Sequence, residues 1–490
     1  MNHYCTIMFA ATAILFYANT YAQKVSNDAA LLEEISQAPE EIEPAGFYEH
    51  TVNIEDALSK EDRTYIWENI RANSQILHQQ GIIPDHSTAH LAAGGYKWPL
   101  KLATGDWVYD WNAFTFNTNF VDQDPVYGSL LDYRCGTRTY DITGYNHQGQ
   151  DIALWPFDWN LVEGDYAEVV AAKDGWITFK QDGNDYHNCG FGGGDWNAIY
   201  LEHDDGGITW YGHMKEGSLT DSAVGAFIAQ GEYLGIVASS GQSTGPHLHF
   251  EVYDGDENLR DPNGGPCNFM GGTTLWSAQR KYNDAKIHAL YTHSELPVFE
   301  PCPDEHITNI SNSFEFGDPI HFIGYFSETV TGLNSRYRIL RPDGSTYLFW
   351  TYSFPVGFAA SYWYWTYTLP DIEGDWKFQA AFRGKFIEYT FNLHPALKDD
   401  DDDYNRMGED FSADVYPVPA SASITITTSR ELENATIKIF DMVGNLVQQH
   451  LMAQTSNFQA ELDIRNLATG VYMISIESGG NTVIKKITKE

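Results

Sequence analysis

Gly245-Pro246-His247-Leu248-His249-Phe250-Glu251-Val252 is the stretch on which the reading of this chain turns. Phe250, Val252 and Tyr253 after the histidines favour a strand, and strand alternation then points His247 and His249 to one face. Upstream, His147-Gln148-Gly149-Gln150-Asp151 sets another imidazole near a carboxylate, and Tyr211-Gly212-His213-Met214 adds a further histidine between the two. Neutral imidazole and carboxylate are suitable donors for a hydrolytic zinc ion, which takes three protein ligands and keeps one position open for water. His147, Asp151 and His249 would supply the three.

Taken in order, His147 to Leu154, Tyr211 to Met214 and Ser243 to Val252 resemble the lysostaphin-like zinc endopeptidases. The likeness covers residues 145–262, including 167–177, which resembles the family's hairpin, and 199–204, which resembles the strand before its Tyr-x-His motif. The resemblance implies a mainly β fold, an antiparallel sheet carrying one zinc ion per chain on His147, Asp151 and His249. It leaves His213 and His247 beside the metal as catalytic groups. A bound zinc polarises an amide carbonyl and lowers the pKa of its water to about 7. A proton must then move from water to the departing amine, work suited to an imidazole. His247 is the expected base and acid, and His213 the group that orients water or holds charge on the tetrahedral intermediate. The implied substrates are glycine-containing or cross-bridge peptides of peptidoglycan, with elastin-like extracellular protein as a second class. A metal-free scaffold or binding module is the competing reading, and it gives no physical reason to keep all five positions.

Other polar features near these motifs read more plainly. His203 lies in Glu202-His203-Asp204-Asp205-Gly206-Gly207, where a hairpin turn accounts for the run, so it is left out of the site. Cys189 to Asp195 is glycine-rich but lacks the Lys-Ser/Thr ending of a phosphate loop. It reads as an inserted loop, with Tyr186, His187 and Trp196 as candidates to border the groove.

At 490 residues the chain is too long for one ordinary core, so several domains are expected. A formal charge of −38 argues against nucleic acid or an anionic membrane as partner, since both need Lys and Arg to neutralise phosphate. Residues 1–22 read as a signal peptide, an apolar run followed by Thr20-Tyr21-Ala22, too short for a stable membrane span. The mature chain is thus expected to lack a membrane span. It keeps Cys135, Cys189, Cys267 and Cys302, which allow two disulfides in three connectivities. Pairing of Cys135 with Cys189 and of Cys267 with Cys302 is the expectation.

Residues 23–95 read as a helical N-terminal segment or propeptide: Ser59, Glu61 and Asp62 start a helix whose Ile66, Trp67, Ile70 and Leu77 fall near one face. The endopeptidase domain is placed at 96–296 and a β-sandwich at 297–397, from short aromatic and β-branched runs between turns such as Arg341-Pro342-Asp343-Gly344. Trp350, Tyr352, Tyr362, Trp363, Tyr364 and Trp365 read as sandwich core in preference to a glycan platform. Residues 398–413 hold an acidic linker. Residues 414–490, with Val415-Tyr416-Pro417-Val418-Pro419-Ala420 and Leu467-Ala468-Thr469-Gly470-Val471-Tyr472, resemble a type IX secretion sorting domain. That resemblance implies the type IX secretion machinery as a partner and a secreted or cell-surface location.

Overall fold

Alternating short strands dominate the architecture, as the sequence pattern requires. The computed structural model describes residues 24–26, 41–50, 54–85, 95–103, 113–142, 144–396, 413–416, 420–428, 433–441, 446–454, 459–468, 470–478 and 481–489. The expected signal peptide and nearly all of the acidic linker lie outside these residues. Two compact units divide the chain, Met1–Ala396 and Leu397–Glu490.

The site is carried by an eight-stranded sheet of the first unit, whose strands are labelled here in chain order. They are β1 (Thr115–Asn119), β2 (Gln150–Leu154), β3 (Gly175–Gln181), β4 (Ala198–Glu202), β5 (Ile208–Gly212), β6 (Phe227–Ile228), β7 (His247–Tyr253) and β8 (Leu259–Arg260). The hydrogen-bonded order is β6-β3-β4-β5-β7-β2-β1, with β8 beside β7. Every pairing in it is antiparallel. On β7, Leu248, Phe250 and Val252 enter the main core, while His247, His249, Glu251 and Tyr253 alternate onto the other face.

The helix α1 (Lys60–Gln79) packs against β3 and neighbouring strands. Ser59 and Asp62 form a capping box that fixes its start, each side chain bonding the other's backbone N–H at 3.1 Å. Ile66 and Ile70 are buried against Trp196, Ala198, Tyr200, Ile208, Trp210 and Tyr253.

Beyond the peptidase sheet lies a two-sheet sandwich. One sheet orders Lys286–His293, Pro319–Ser327, Ala360–Thr368 and Gly46–His50; the other orders Lys24–Ser26, Lys385–His394, Gly374–Phe382, Asn334–Leu340 and Thr346–Ser353, with Ser313–Glu315 alongside Lys385–His394. The sandwich therefore takes strands from the N-terminal segment, which is helical only over α1 among the described residues, and from Lys286–His293, ahead of residue 297. These segments lend sheet edges to strands far away in sequence, pairings that local patterns do not encode. Trp350, Tyr352, Trp363 and Trp365 are buried in the core that this sandwich shares with the peptidase sheet, as the core-packing reading holds.

The disulfides join Cys135 to Cys267 and Cys189 to Cys302. This corrects the expected pairing of sequence neighbours. The fold brings distant loops together: Cys267 N–H donates to Tyr133 O at 3.0 Å, and Cys302 Sγ lies 3.8 Å from Asn188 O. In the second unit, alternating Ile424, Ile426, Ile437, Ile439, Ile474 and Ile476 fill the space between a three-stranded and a four-stranded sheet.

Candidate metal centre

Strand register assembles the centre. Asp151 on β2 stands directly across from His249 on β7, and His249 in turn faces Gly212 at the end of β5. The residue after that strand, His213, has φ of 63°, a left-handed backbone unusual for a side chain of this size and of the kind that collects at functional sites. Gly149 is required by close approach: a Cβ there would lie 2.4 Å from the ring of His249.

All five residues expected from the sequence meet here, and all are buried. Asp151 Oδ1 lies 3.2 Å from His147 Nε2 and 2.9 Å from His249 Nδ1. The other ring nitrogens of the two histidines are tied down: His147 Nδ1–H donates to Phe120 O at 2.7 Å and His249 Nε2–H to Glu251 Oε1 at 2.8 Å. That division of labour, one nitrogen inward and one held by an outer partner, is the usual arrangement of metal-ligating histidine. His147 Nε2 lacks a hydrogen-bond partner, as does His247 Nε2, which sits 3.7 Å from Asp151 Oδ1. Buried orphan nitrogens converging on a carboxylate fit a cation better than an empty polar pocket. The residues present therefore suit a metal ion.

The surroundings tune these groups. Burial and the nearby Asp56 carboxylate push the Asp151 carboxyl up, but His147 and, less strongly, His247 outweigh them and hold it below the usual range. Burial lowers His247 to about 4, with His213 beside it adding to the effect, so its imidazole is neutral. Glu251 is held down to about 2 despite its burial, because Arg63 of α1 grips it through two bonds of 2.6 and 3.0 Å.

Two participants escaped the sequence reading. Glu251 orients His249, and the period-2 alternation of His247, His249 and Glu251 was the signal that could have found it. Asp56 is the other. Its carboxylate Oδ2 lies 2.7 Å from His249 Nδ1 and 2.9 Å from His213 Nε2, and it completes donor groups with both His147/Asp151/His249 and His213/His247/His249. Nothing in its local sequence marks it. His203, set aside as structural, is buried outside the cluster with Nδ1–H donating to Asp174 O at 2.7 Å. Of the groove candidates, Trp196 packs edge-on to His213 at 5.1 Å between ring centroids, whereas His187 stacks on Trp159.

Residues 146–262 match Peptidase family M23. The chain carries an M23 peptidase domain. Residues 414–490 match the Secretion system C-terminal sorting domain. Over 100 residues, the chain is 40% identical to the DD-carboxypeptidase/endopeptidase Mpg of Neisseria meningitidis, covering 19% of this chain and 20% of that protein. The chain thus spans about a fifth of the length of the curated relatives it matches. Among solved structures, the catalytic domain of lysostaphin from Staphylococcus simulans is similar at 23% identity, covering 30% of this chain and 88% of that one, with a TM-score of 0.20. A zinc containing peptidase from Vibrio cholerae is similar at 18% identity, covering 34% and 39%, with a TM-score of 0.22. The M23 match makes the region a hydrolase of peptide bonds by family, and the family implies a metal cofactor. No described helix is long and apolar enough to cross a membrane.

Proposed function

We propose that this chain is a secreted zinc-dependent endopeptidase acting on peptidoglycan, at glycine-containing or cross-bridge bonds. The observation that carries the reading is the convergence of His147 Nε2, Asp151 Oδ1 and His249 Nδ1 with two further histidines beside them. These three atoms would hold one zinc ion, which when bound supplies a Lewis acid and water ionising near neutrality. His247, neutral and with a free Nε2, accepts the proton of the attacking water and passes it to the departing amine. His213, its Nδ1–H fixed on Ser240 O at 2.6 Å, turns Nε2 toward the place of the reacting oxygen and steadies charge there. Glu251 and the Phe120 carbonyl keep the ligand rings from turning.

The peptidoglycan assignment draws on the M23 match and on the Neisseria relative, whose name gives it carboxypeptidase and endopeptidase activities. Residues 1–22 and 414–490 would direct export, the latter through type IX secretion machinery. The test is metal content with chelator-reversible cleavage of sacculi, a pentaglycine peptide and soluble elastin. His249→Ala and Asp151→Ala lose zinc and activity, while His247→Ala loses activity and keeps about one zinc. A chain that binds no zinc overturns the reading, and cleavage confined to elastin transfers it to extracellular protein.

A further inference from the structure

The polypeptide on either side of Asp56 lies in the groove beside the metal donors in the manner of a bound peptide. Thr244 N–H donates to Glu55 O at 3.1 Å and Ala57 N–H to Gln242 O at 3.2 Å, making an antiparallel bridge between Asp56 and Ser243. Glu55 N–H also donates to Thr244 Oγ1 at 2.9 Å. From the end of β1, Asn119 Nδ2 donates to Ile54 O at 2.7 Å and to Asp151 Oδ2 at 3.1 Å. The segment is thus held by backbone groups that any extended peptide offers, a form of recognition by strand addition.

Its side chain goes to the centre of the site. Asp56 is fully buried, and its Oδ1 accepts from the Tyr140 hydroxyl while Oδ2 faces His213 and His249. A carboxylate in a pocket with these donors costs much desolvation unless it is matched by cationic partners. The cation that the site is built to hold meets that need, and carboxylate oxygen is an ordinary zinc donor. Three ligands from the M23 domain plus Asp56 would give a bound zinc four protein donors, the number of a closed structural zinc site, which keeps no position for water.

The anchoring lies outside the groove. Ser59 caps α1 three residues after Asp56, Ile66 and Ile70 bury against the sheet, and Arg63 pairs with Glu251 while His78 lies 2.8 Å from Glu202. Between Cys5 and Cys135 there is no cysteine, so the segment is tied to the peptidase sheet by noncovalent contacts.

We propose that Asp56 is a fourth, displaceable zinc ligand and that Ile54 to Leu58 occupies the groove as a surrogate substrate, so that the chain as folded is a latent peptidase. The proposal rests on the zinc endopeptidase reading and adds its control. It also assigns Gln242 to Thr244 as the edge on which a substrate backbone pairs, so productive substrates are extended peptides with a free N–H and C=O near the cleaved bond.

The experiment uses the full chain loaded with Co2+, whose visible spectrum reports ligands, titrated with azide as an anion that needs an open metal position. The wild-type chain should show no azide-dependent change, and Asp56→Ala should show saturable azide binding, together with metal loss to a competing chelator at least tenfold faster. Ile70→Ala, which leaves all donors in place, should show intermediate azide binding and guards against misfolding of the first variant. A wild-type spectrum that responds to azide as readily as Asp56→Ala overturns the proposal. Cleavage separates the two claims: Asp56→Ala that binds azide yet cuts none of sacculi, pentaglycine or elastin supports Asp56 as ligand and refutes the endopeptidase reading. A rise in cleavage of tenfold or more with the azide response supports both.

Discussion

Loosening α1 without touching the metal centre provides a quantitative test of whether the N-terminal segment is separable. Ile66 is 1% exposed and belongs to one buried cluster with Trp196, Trp210 and Tyr253. Ile66→Ala deletes three buried carbons and leaves a cavity bounded by aromatic rings, which collapse poorly around missing volume. Such truncations cost about 2–5 kcal/mol. With about 3 kcal/mol as the central figure, and about 1.4 kcal/mol per factor of ten, undocking of α1 becomes about a hundredfold more populated. Helix propensity moves the other way, since Ala is the better helix former, but by less than about 1 kcal/mol. Hydrogen exchange resolved by segment is the assay. Protection of residues 60–79 should fall by about that factor while β7 keeps its protection, and peptide cleavage by the full chain should rise. An equal fall in α1 and β7 would refute the reasoning, because the helix would then be part of the domain's cooperative core.

Further outcomes follow from single features. Gly149→Ala forces a methyl into the His249 ring at 2.4 Å, so zinc affinity should drop at least tenfold in chelator competition while the melting temperature changes by only a few degrees. Replacing Cys189 and Cys302 by Ser removes a cross-link across a separation of 113 residues, for which chain entropy gives about 4–5 kcal/mol at 25 °C, to be read by calorimetry on the oxidised and variant chains. Deleting residues 414–490 should stop export and leave the purified remainder with the metal content and cleavage rate of the full chain; in an Asp56→Ala background, a remainder that folds but cuts more slowly than the full chain would place the tail in the enzyme.

The clustering of the candidate metal centre was legible because its side chains come as short motifs whose geometry is local. In His247-Leu248-His249 strand alternation alone sets two imidazoles on one face, and β2–β7 register then needs only to bring Asp151 opposite His249. The core role of Trp350 and Trp365 was likewise readable from runs that alternate along a strand. What stayed hidden depends on long-range closure. Asp56 meets His213 across 157 residues of chain, and Arg63 meets Glu251 across 188. The disulfides, with separations of 132 and 113, obey the same limit, which is why pairing neighbouring cysteines fails. Lys24–Ser26 and Gly46–His50 join sandwich sheets through edges that no motif announces.

The placement of the two cross-links makes the chain respond differently to a nick on either side of Cys135. Cys135–Cys267 and Cys189–Cys302 overlap in sequence, so one break at any bond from 135 to 302 leaves fragments that still migrate together without reductant. A break ahead of Cys135 has no such safeguard, and the upstream piece is free to dissociate at the rate its packing allows. A chain exposed to proteases would thereby tolerate damage to its cross-linked sheet while remaining sensitive to a cut that severs its leading segment. On a nonreducing gel, partial digestion should yield a persistent large species missing only that leader.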